Sequence, residues 1–394
     1  MLQLPYRYKI NTSSFRHYWT KGIGVELLHK LDIVPRIEDA EQFIPLLYQY
    51  DKAGDKVAVE LYLKQGFKAA NAYLLQYLDG IPIPSELKEV LDAFFGCFNI
   101  EPDWLDWDLL EVGQRFCQRP GLSSLIVLRD YCLMGGYESA AINKPLVYTG
   151  ALKKGAVKRL TDTVEFWVQI TKPGNLRPTS MGFKQVMLTR MIHSFSRVQI
   201  LEKTDWEIEK WGIPINTWDM LATHLGFSEV FLVGLRRMGI KPGEEEIKGL
   251  FHFWKYISYL LGIPVELLPD HEPEAIKALY YWTMTQREGD VDTLQLARAL
   301  QEEPVQAFYP KSLLMRKMMR EVHLFYNHYL LGDYSCQLLG LPKTRIGRLA
   351  LAKVWRNKQL ERNIEDDAFR EKCIRNGAEE QENVRQIYET YNKG

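Results

Sequence analysis

Apolar residues in this chain recur at three- and four-residue intervals almost throughout, and alternation at every second residue is scarce. The first spacing lines one face of a helix, whereas a half-buried strand needs a period of two. The clearest run is Asp55 to Tyr77, where Val57, Leu61, Leu63, Phe67, Ala70, Leu74 and Tyr77 keep step without a proline. Comparable stretches occupy Glu86–Phe98, Leu122–Met134, Ala156–Thr171, Phe183–Glu202, Met220–Gly234, Glu245–Leu261, Pro273–Thr285, Val291–Ala299, Ser312–Leu331 and Lys343–Asn357. Turn-forming runs separate several of them, among them Asp79-Gly80-Ile81-Pro82, Lys172-Pro173-Gly174-Asn175 and Lys241-Pro242-Gly243. The pattern predicts an all-α protein of about a dozen helices. With 394 residues the chain can bury a large core, and no internal repeat or low-complexity linker divides it. One helical domain is expected over 1–357, followed by a charged C-terminal tail over 358–394 in which the apolar periodicity fades.

Charge excludes some partners. Fifty basic residues offset fifty acidic ones, so no global field recruits nucleic acid. Cys97, Cys117, Cys132, Cys336 and Cys373 are an odd, scattered set without a CxxC pair, as expected of reduced thiols. The first residues lack the apolar stretch of a secretory signal, and no run of eighteen apolar residues is present. A cytoplasmic protein without a transmembrane span is therefore expected. An aromatic content of 12% suits a protein that lines an apolar pocket, although large cores use aromatics too.

One stretch stands out chemically. Arg159-Leu160-Thr161-Asp162-Thr163 lies on one predicted helix, and His193 follows thirty residues after Thr163 in the middle of the next. Neutral imidazole binds iron well, so a histidine on a largely apolar helix is a candidate cofactor ligand. The same position equally suits a core histidine bonded to a carbonyl. Arg190 and Arg197 stand one turn to either side of His193 and read as surface arginines or as partners for an anionic cofactor edge. Arg159 and Thr163 are one turn apart and share a face, where a guanidinium and a hydroxyl can hold a bound oxygen species. A solvated arginine and a back-bonded threonine fit the same spacing.

Four segments in order resemble one family. They are Arg159–Thr163 with Arg190–His193–Arg197; Trp211-Gly212-Ile213-Pro214-Ile215-Asn216 with Asp219, Thr223, Phe227 and Val233-Gly234-Leu235-Arg236; Trp254–Gly262 leading to Leu267-Leu268-Pro269; and Leu330-Leu331-Gly332 with Leu339-Gly340-Leu341-Pro342. Across about residues 135–345 the chain resembles the latex-clearing (rubber oxygenase) proteins and the ER-bound oxygenases of meroterpenoid biosynthesis. The resemblance implies a globin-like helical core around haem b, with additional N- and C-terminal helices. It also implies O2-dependent cleavage or related oxidation of carbon–carbon double bonds in isoprenoid chains. His193 then becomes the iron ligand, Arg190 and Arg197 its cofactor-binding neighbours, and Arg159 and Thr163 the residues opposite. The chain departs from the rubber-cleaving members at Asp162, where they carry a lysine that can cap the iron. Their upstream glutamate, proposed as a base, has Glu138 as its nearest counterpart. Those members are exported, so a smaller hydrophobic substrate inside the cell is the expectation here.

Other readings find less support. A di-iron oxygenase needs Glu-x-x-His pairs on facing helices, and the spacing occurs once, at Glu26 and His29. His271-Glu272 lacks the second histidine of HExxH, and Asp366-Asp367 lacks the further acid of a diphosphate-binding cluster. A non-enzymatic carrier of haem or a hydrophobic ligand would share the pocket and its histidine. The basic, amphipathic segment 343–356 fits peripheral contact with an anionic bilayer, or simply a solvated helix face.

Overall fold

The computed structural model describes residues 4–10, 13–98, 100–150, 155–344 and 350–391. Among them helices build the body, as the periodicity predicts, and strand pairing is confined to two single antiparallel bridges, Tyr8–Gln286 and Ser139–Glu288. The Ala156–Thr171 helix has the expected bounds, and Met181–Lys203, Glu244–Leu260 and Leu313–Leu331 lie within two residues of theirs. Other expected helices are interrupted. Asp55–Tyr77 divides at Gly66, whose φ of 80° ends one helix and starts Phe67–Leu78. Three π-turns, Ala58–Leu63, Leu128–Leu133 and Gly226–Val230, widen helices that read as continuous in the sequence.

The centre is the contact between Trp107–Gln118 and Glu244–Leu260. These helices cross at Gly113 and Gly249, where a Cβ on Gly113 would stand 2.1 Å from the Gly249 carbonyl oxygen. No larger residue permits that approach. Around the crossing, Trp167, Phe231, Phe251, Phe253 and Trp254 are fully buried in one large core. Each such side chain contributes about 1.5–3 kcal/mol of burial free energy. A smaller core holds Met134, Tyr137, Leu160, Leu296, Leu300, Leu324 and Cys336. The Ala156–Thr171 helix reaches both cores, Trp167 into the large one and Leu160 into the small one.

The charged C-terminal segment, expected as a peripheral tail, contains the Asp367–Tyr391 helix, docked along Ala156–Thr171 and Trp107–Gln118. Its anchor is polar: buried Gln381 accepts from Trp167 Nε1 at 2.9 Å and donates to the carbonyls of Cys117 at 3.0 Å and Gly121 at 3.1 Å. A polar anchor leaves no mark on apolar periodicity, which explains the difference. Of the basic segment 343–356, residues 345–349 lie outside the described residues. The rest leads into the Leu351–Leu360 helix, where Val354 is buried, Lys353 stands 3.7 Å from Glu380 and Trp355 is exposed. No helix among the described residues is long and apolar enough to cross a membrane.

Candidate functional site

The Met181–Lys203 helix buries residues on several sides, including Met187 and Met191 but also Arg190 and Arg197. Buried guanidinium groups need partners, because desolvating an unpaired charge costs several kcal/mol. The partners come from the N-terminal part of the chain. Arg190 donates to Asp51 through Nε at 2.7 Å and Nη2 at 2.8 Å, and its Nη1 donates to the Leu260 carbonyl at 3.0 Å. Asp51 also caps the Lys52–Val57 helix, accepting from the Gly54 amide at 3.0 Å. Burial works to raise the Asp51 carboxyl, but the Arg190 hydrogen bonds and charge outweigh it and hold the group below its ordinary value.

One turn on, the pairing is incomplete. Arg197 Nη1 stands 3.3 Å from Asp55 Oδ1 without the alignment of a hydrogen bond, and Arg197 Nε has no partner. Burial pushes the Asp55 carboxyl up to about 6 despite the arginine. His193 lies between the two arginines in sequence, and its shielded Nδ1 has no hydrogen-bond partner among the described residues. Burial, reinforced by the Arg197 charge, pushes its pKa down to about 4, so the imidazole is neutral near pH 7. Neutral imidazole with a free nitrogen is the form that binds a metal.

His193 and Arg197 line a cleft with Tyr50, Asp51, Ile215, Met220 and Gly262, enclosing about 270 Å³ including its open mouth. Two sequence motifs supply its walls. Within Trp211–Asn216, Ile215 takes φ 55°, which costs a β-branched residue roughly 1–3 kcal/mol. The strained turn is pinned on both sides: the Ile213 amide donates to Leu47 O at 2.8 Å, and the Asn216 side chain accepts from the Asp219 amide at 3.0 Å. At the end of Trp254–Gly262, Gly262 has φ 88°, and a Cβ there would sit 2.9 Å from both Arg190 Nη2 and Asp51 Cγ. Only glycine lets the backbone close over that ion pair.

The other candidate residues gather elsewhere. Arg159 Nη2 donates to the Tyr137 hydroxyl, and its guanidinium lies 5.5 Å from the centroid of that ring. Tyr137 is held in turn, its carbonyl accepting from Asn143 Nδ2 and Thr293 Oγ1, both at 2.8 Å. Glu138, next in the chain, is buried. Thr163 Oγ1 donates back to Arg159 O at 2.8 Å. Asp162 is exposed and meets Lys158 Nζ at 3.0 Å. Among the described residues no hydrogen bond or ion pair links Arg159, Asp162 or Thr163 to His193. Thus the structure places His193 and Arg197 on one cleft, with Arg190 held to its wall residue Asp51, and sets Arg159 against Tyr137, which Glu138 follows in the chain. The sequence reading passed over Asp51 and Asp55. Their signal was indirect: two arginines seven residues apart on a buried helix call for two carboxylates, and Asp51 and Asp55 are four apart. Nothing in the sequence marked Tyr137.

Comparison with known proteins gives the class. Residues 122–357 match the family model described as ER-bound oxygenase mpaB/B'/Rubber oxygenase, catalytic domain, which is more than half of the chain. The chain therefore belongs to this family and is an enzyme of the oxygenase class. Its fold is similar to that of a solved latex clearing protein, LCP, in the closed state, with a TM-score of 0.59 and 17% identity over 84% of this chain and 91% of that one. At that identity the likeness speaks for the fold. Comparison with curated proteins gives no match. His193 and most of the cleft wall lie inside the matched range, whereas Tyr50, Asp51 and Asp55 precede it.

Proposed function

We propose that this oxygenase depends on haem b held through His193, and that with O2 it oxidises a small hydrophobic olefin, isoprenoid-like, inside the cell. The observation that carries the reading is the imidazole itself: neutral, facing a cleft, and with a shielded Nδ1 that has no hydrogen-bond partner among the described residues. The donor chemistry fits. Arg197, whose Nε and Nη1 make no hydrogen bond although Nη1 stands 3.3 Å from Asp55, would meet an anionic cofactor edge, whereas Arg190 is committed to Asp51 and acts by fixing the helix. Much of that 270 Å³ is open solvent at the mouth, so the enclosed room falls far below the roughly 300–1,000 Å³ usual for small-molecule clefts and the walls must part to admit a macrocycle.

When bound, the haem iron supplies the centre at which O2 reacts. The chain's own residues do the rest. Tyr50, Ile215, Met220 and Leu261 exclude water from the imidazole. Arg159, fixed by Tyr137, and Thr163 would orient O2, with buried Glu138 next to Tyr137 in the chain. Asp162, exposed and paired with Lys158, stays outside the cleft. The test is the absorption spectrum and pyridine haemochrome of purified wild type and His193→Ala. Haem b near one per chain, lost or spectrally altered in the variant, supports the assignment and calls for oxygen-uptake assays with isoprenoid olefins. Protein made with ample haem that stays colourless, or a spectrum indifferent to His193, overturns it.

A further inference from the structure

The Leu313–Leu331 helix begins on a surface unlike the rest of the molecule. Phe308, Tyr309, Leu313, Leu314, Met315, Met318 and Met319 are all exposed, Leu314 at 69% and Met318 at 57%. At about 100° per residue, Leu314, Met318 and Met315 form the crest of this turn of helix, with Met319 on its shoulder, and Leu313 is exposed at the helix start. The opposite side is tied down: Arg316 donates to Val305 O at 3.0 Å and to Ala307 O, and Arg320 pairs with Glu302 at 3.2 Å. The crest therefore projects from a fixed base. Contiguous apolar exposure of this kind marks an interaction surface.

We infer that this crest docks on an anionic lipid bilayer. Charge decides between a membrane and other occupants. Residues 307–320 include Lys311, Arg316, Lys317 and Arg320 and no acidic residue. Lys311 and Lys317 are exposed and carry no ion pair among the described residues, so two free positive charges flank the crest. The nearest acids are engaged, Glu302 and Glu321 by Arg320 at 3.2 and 3.4 Å and buried Glu303 by Arg129 at 3.1 Å. Exposed Lys343 adds to the same field, because Thr344 donates to Glu321 O at 3.3 Å and so holds the start of the basic segment 343–356 against the middle of this helix. Leucine and methionine with no hydrogen-bonding group suit acyl chains, and flanking lysines suit anionic headgroups, the combination of an interfacial helix. The expected bilayer contact over 343–356 thereby acquires its apolar part from a different segment. The inference does not depend on His193 binding haem.

The test is co-sedimentation of the full-length protein with phosphatidylcholine vesicles with and without phosphatidylserine. Comparison is with Leu314→Ser/Met318→Ser and Lys311→Glu/Lys317→Glu, light scattering reports oligomeric state, and circular dichroism checks folding. All four positions are exposed, so the variants should fold as wild type. The expected result is binding that requires phosphatidylserine, falls about tenfold or more in the serine variant, and falls several-fold in the glutamate variant and with added salt. Absence of binding by wild type, or binding that neither variant changes, overturns the proposal. So does a dimer that dissociates in the serine variant without any vesicle binding, which would give the crest to a second copy of the chain.

Discussion

Two buried clusters in this protein are made from nearly the same parts and end differently. Beside the cleft that His193, Arg197 and Asp51 line, Arg190 meets Asp51 and Arg197 meets Asp55. In the other, Arg129 meets Asp130 at 2.5 Å and Glu303 at 3.1 Å, and His323 Nδ1 is hydrogen-bonded to Asp130 Oδ2 at 2.7 Å. Tyr388 closes that network by donating to Glu303 at 2.9 Å, tying the C-terminal helix to the Leu128–Leu133 π-turn. There the imidazole completes the pairing, whereas at the cleft it is left out. A buried histidine serving structure is used up by its neighbours, and one available to a ligand is not. That difference distinguishes the two histidines where burial and helix position do not.

The largest expected effect tests the closed cluster. Asp130→Ala removes the carboxylate shared by Arg129 and His323 and leaves buried Arg129 with Glu303 as its one remaining acid, at a cost of about 3 kcal/mol. Urea unfolding measures it. A loss below about 1 kcal/mol would mean the cluster is no more committed to structure than the cleft.

Glu229 extends the comparison to an unpaired buried acid without a cleft. It sits on the Gly226–Val230 π-turn, fully buried with neither carboxylate oxygen hydrogen-bonded. Burial, with the nearby Glu272 charge, pushes its pKa from the ordinary 4.5 up to about 8. A folded-state pKa above the unfolded one gives stability that is complete below about 4.5 and is lost as pH rises through about 8, on the order of 1.4 kcal/mol per unit. Glu229→Gln should remove that slope and leave the variant the more stable protein above pH 8. Unfolding midpoints across pH 5–9 decide it, and parallel curves for the two proteins would count against a buried, proton-holding Glu229.

The matched pair of histidine variants is the direct comparison. His323→Ala should cost about 1.5–3 kcal/mol, the usual worth of a hydrogen bond to a charged group. His193→Ala breaks no hydrogen bond and should cost the cofactor-free protein less than about 1 kcal/mol. It should also remove an acid-side loss. The His193 pKa is depressed from 6.5 to about 4, so its contribution is complete above pH 6.5 and disappears as pH falls through about 4. Equal costs for the two histidines would erase the distinction drawn here.

Much of this was legible beforehand, and the parts that were not have physical reasons. The Ala156–Thr171 and Met181–Lys203 helices follow from periodicity because each carries an unbroken apolar stripe. The π-turns were invisible because one extra residue in a turn scarcely disturbs a three-four pattern. His193 stood out by residue type and surroundings, but its availability depends on where Asp51 and Asp55 spend their charge, about 140 residues away in sequence. The Trp211–Asn216 and Trp254–Gly262 motifs were recognisable as patterns, yet their use, a strained turn and a glycine closing over an ion pair, needs three dimensions.

Asp162 gives the smallest expected effect and tests the oxygen-binding side. The family resemblance pairs it with a lysine of the rubber-cleaving members, but its carboxylate points to Lys158, and both side chains are more than 60% exposed. Such i,i+4 surface pairs contribute about 0.3–0.5 kcal/mol, so Asp162→Ala should shift stability by no more than that. Asp162→Lys is the sharper variant. On an outer face the new amine stays in solvent, and on the proposed haem reading the spectrum of haem-loaded protein should match wild type. A shifted spectrum would show that this face of the Ala156–Thr171 helix reaches the cofactor once the cleft opens. The cleft would then need more than wall side chains to part: the helix would have to turn, carrying Arg159 away from Tyr137. Measuring Arg159→Lys alongside separates these cases, because it weakens the Tyr137 contact and should enhance the effect of Asp162→Lys only if the helix turns.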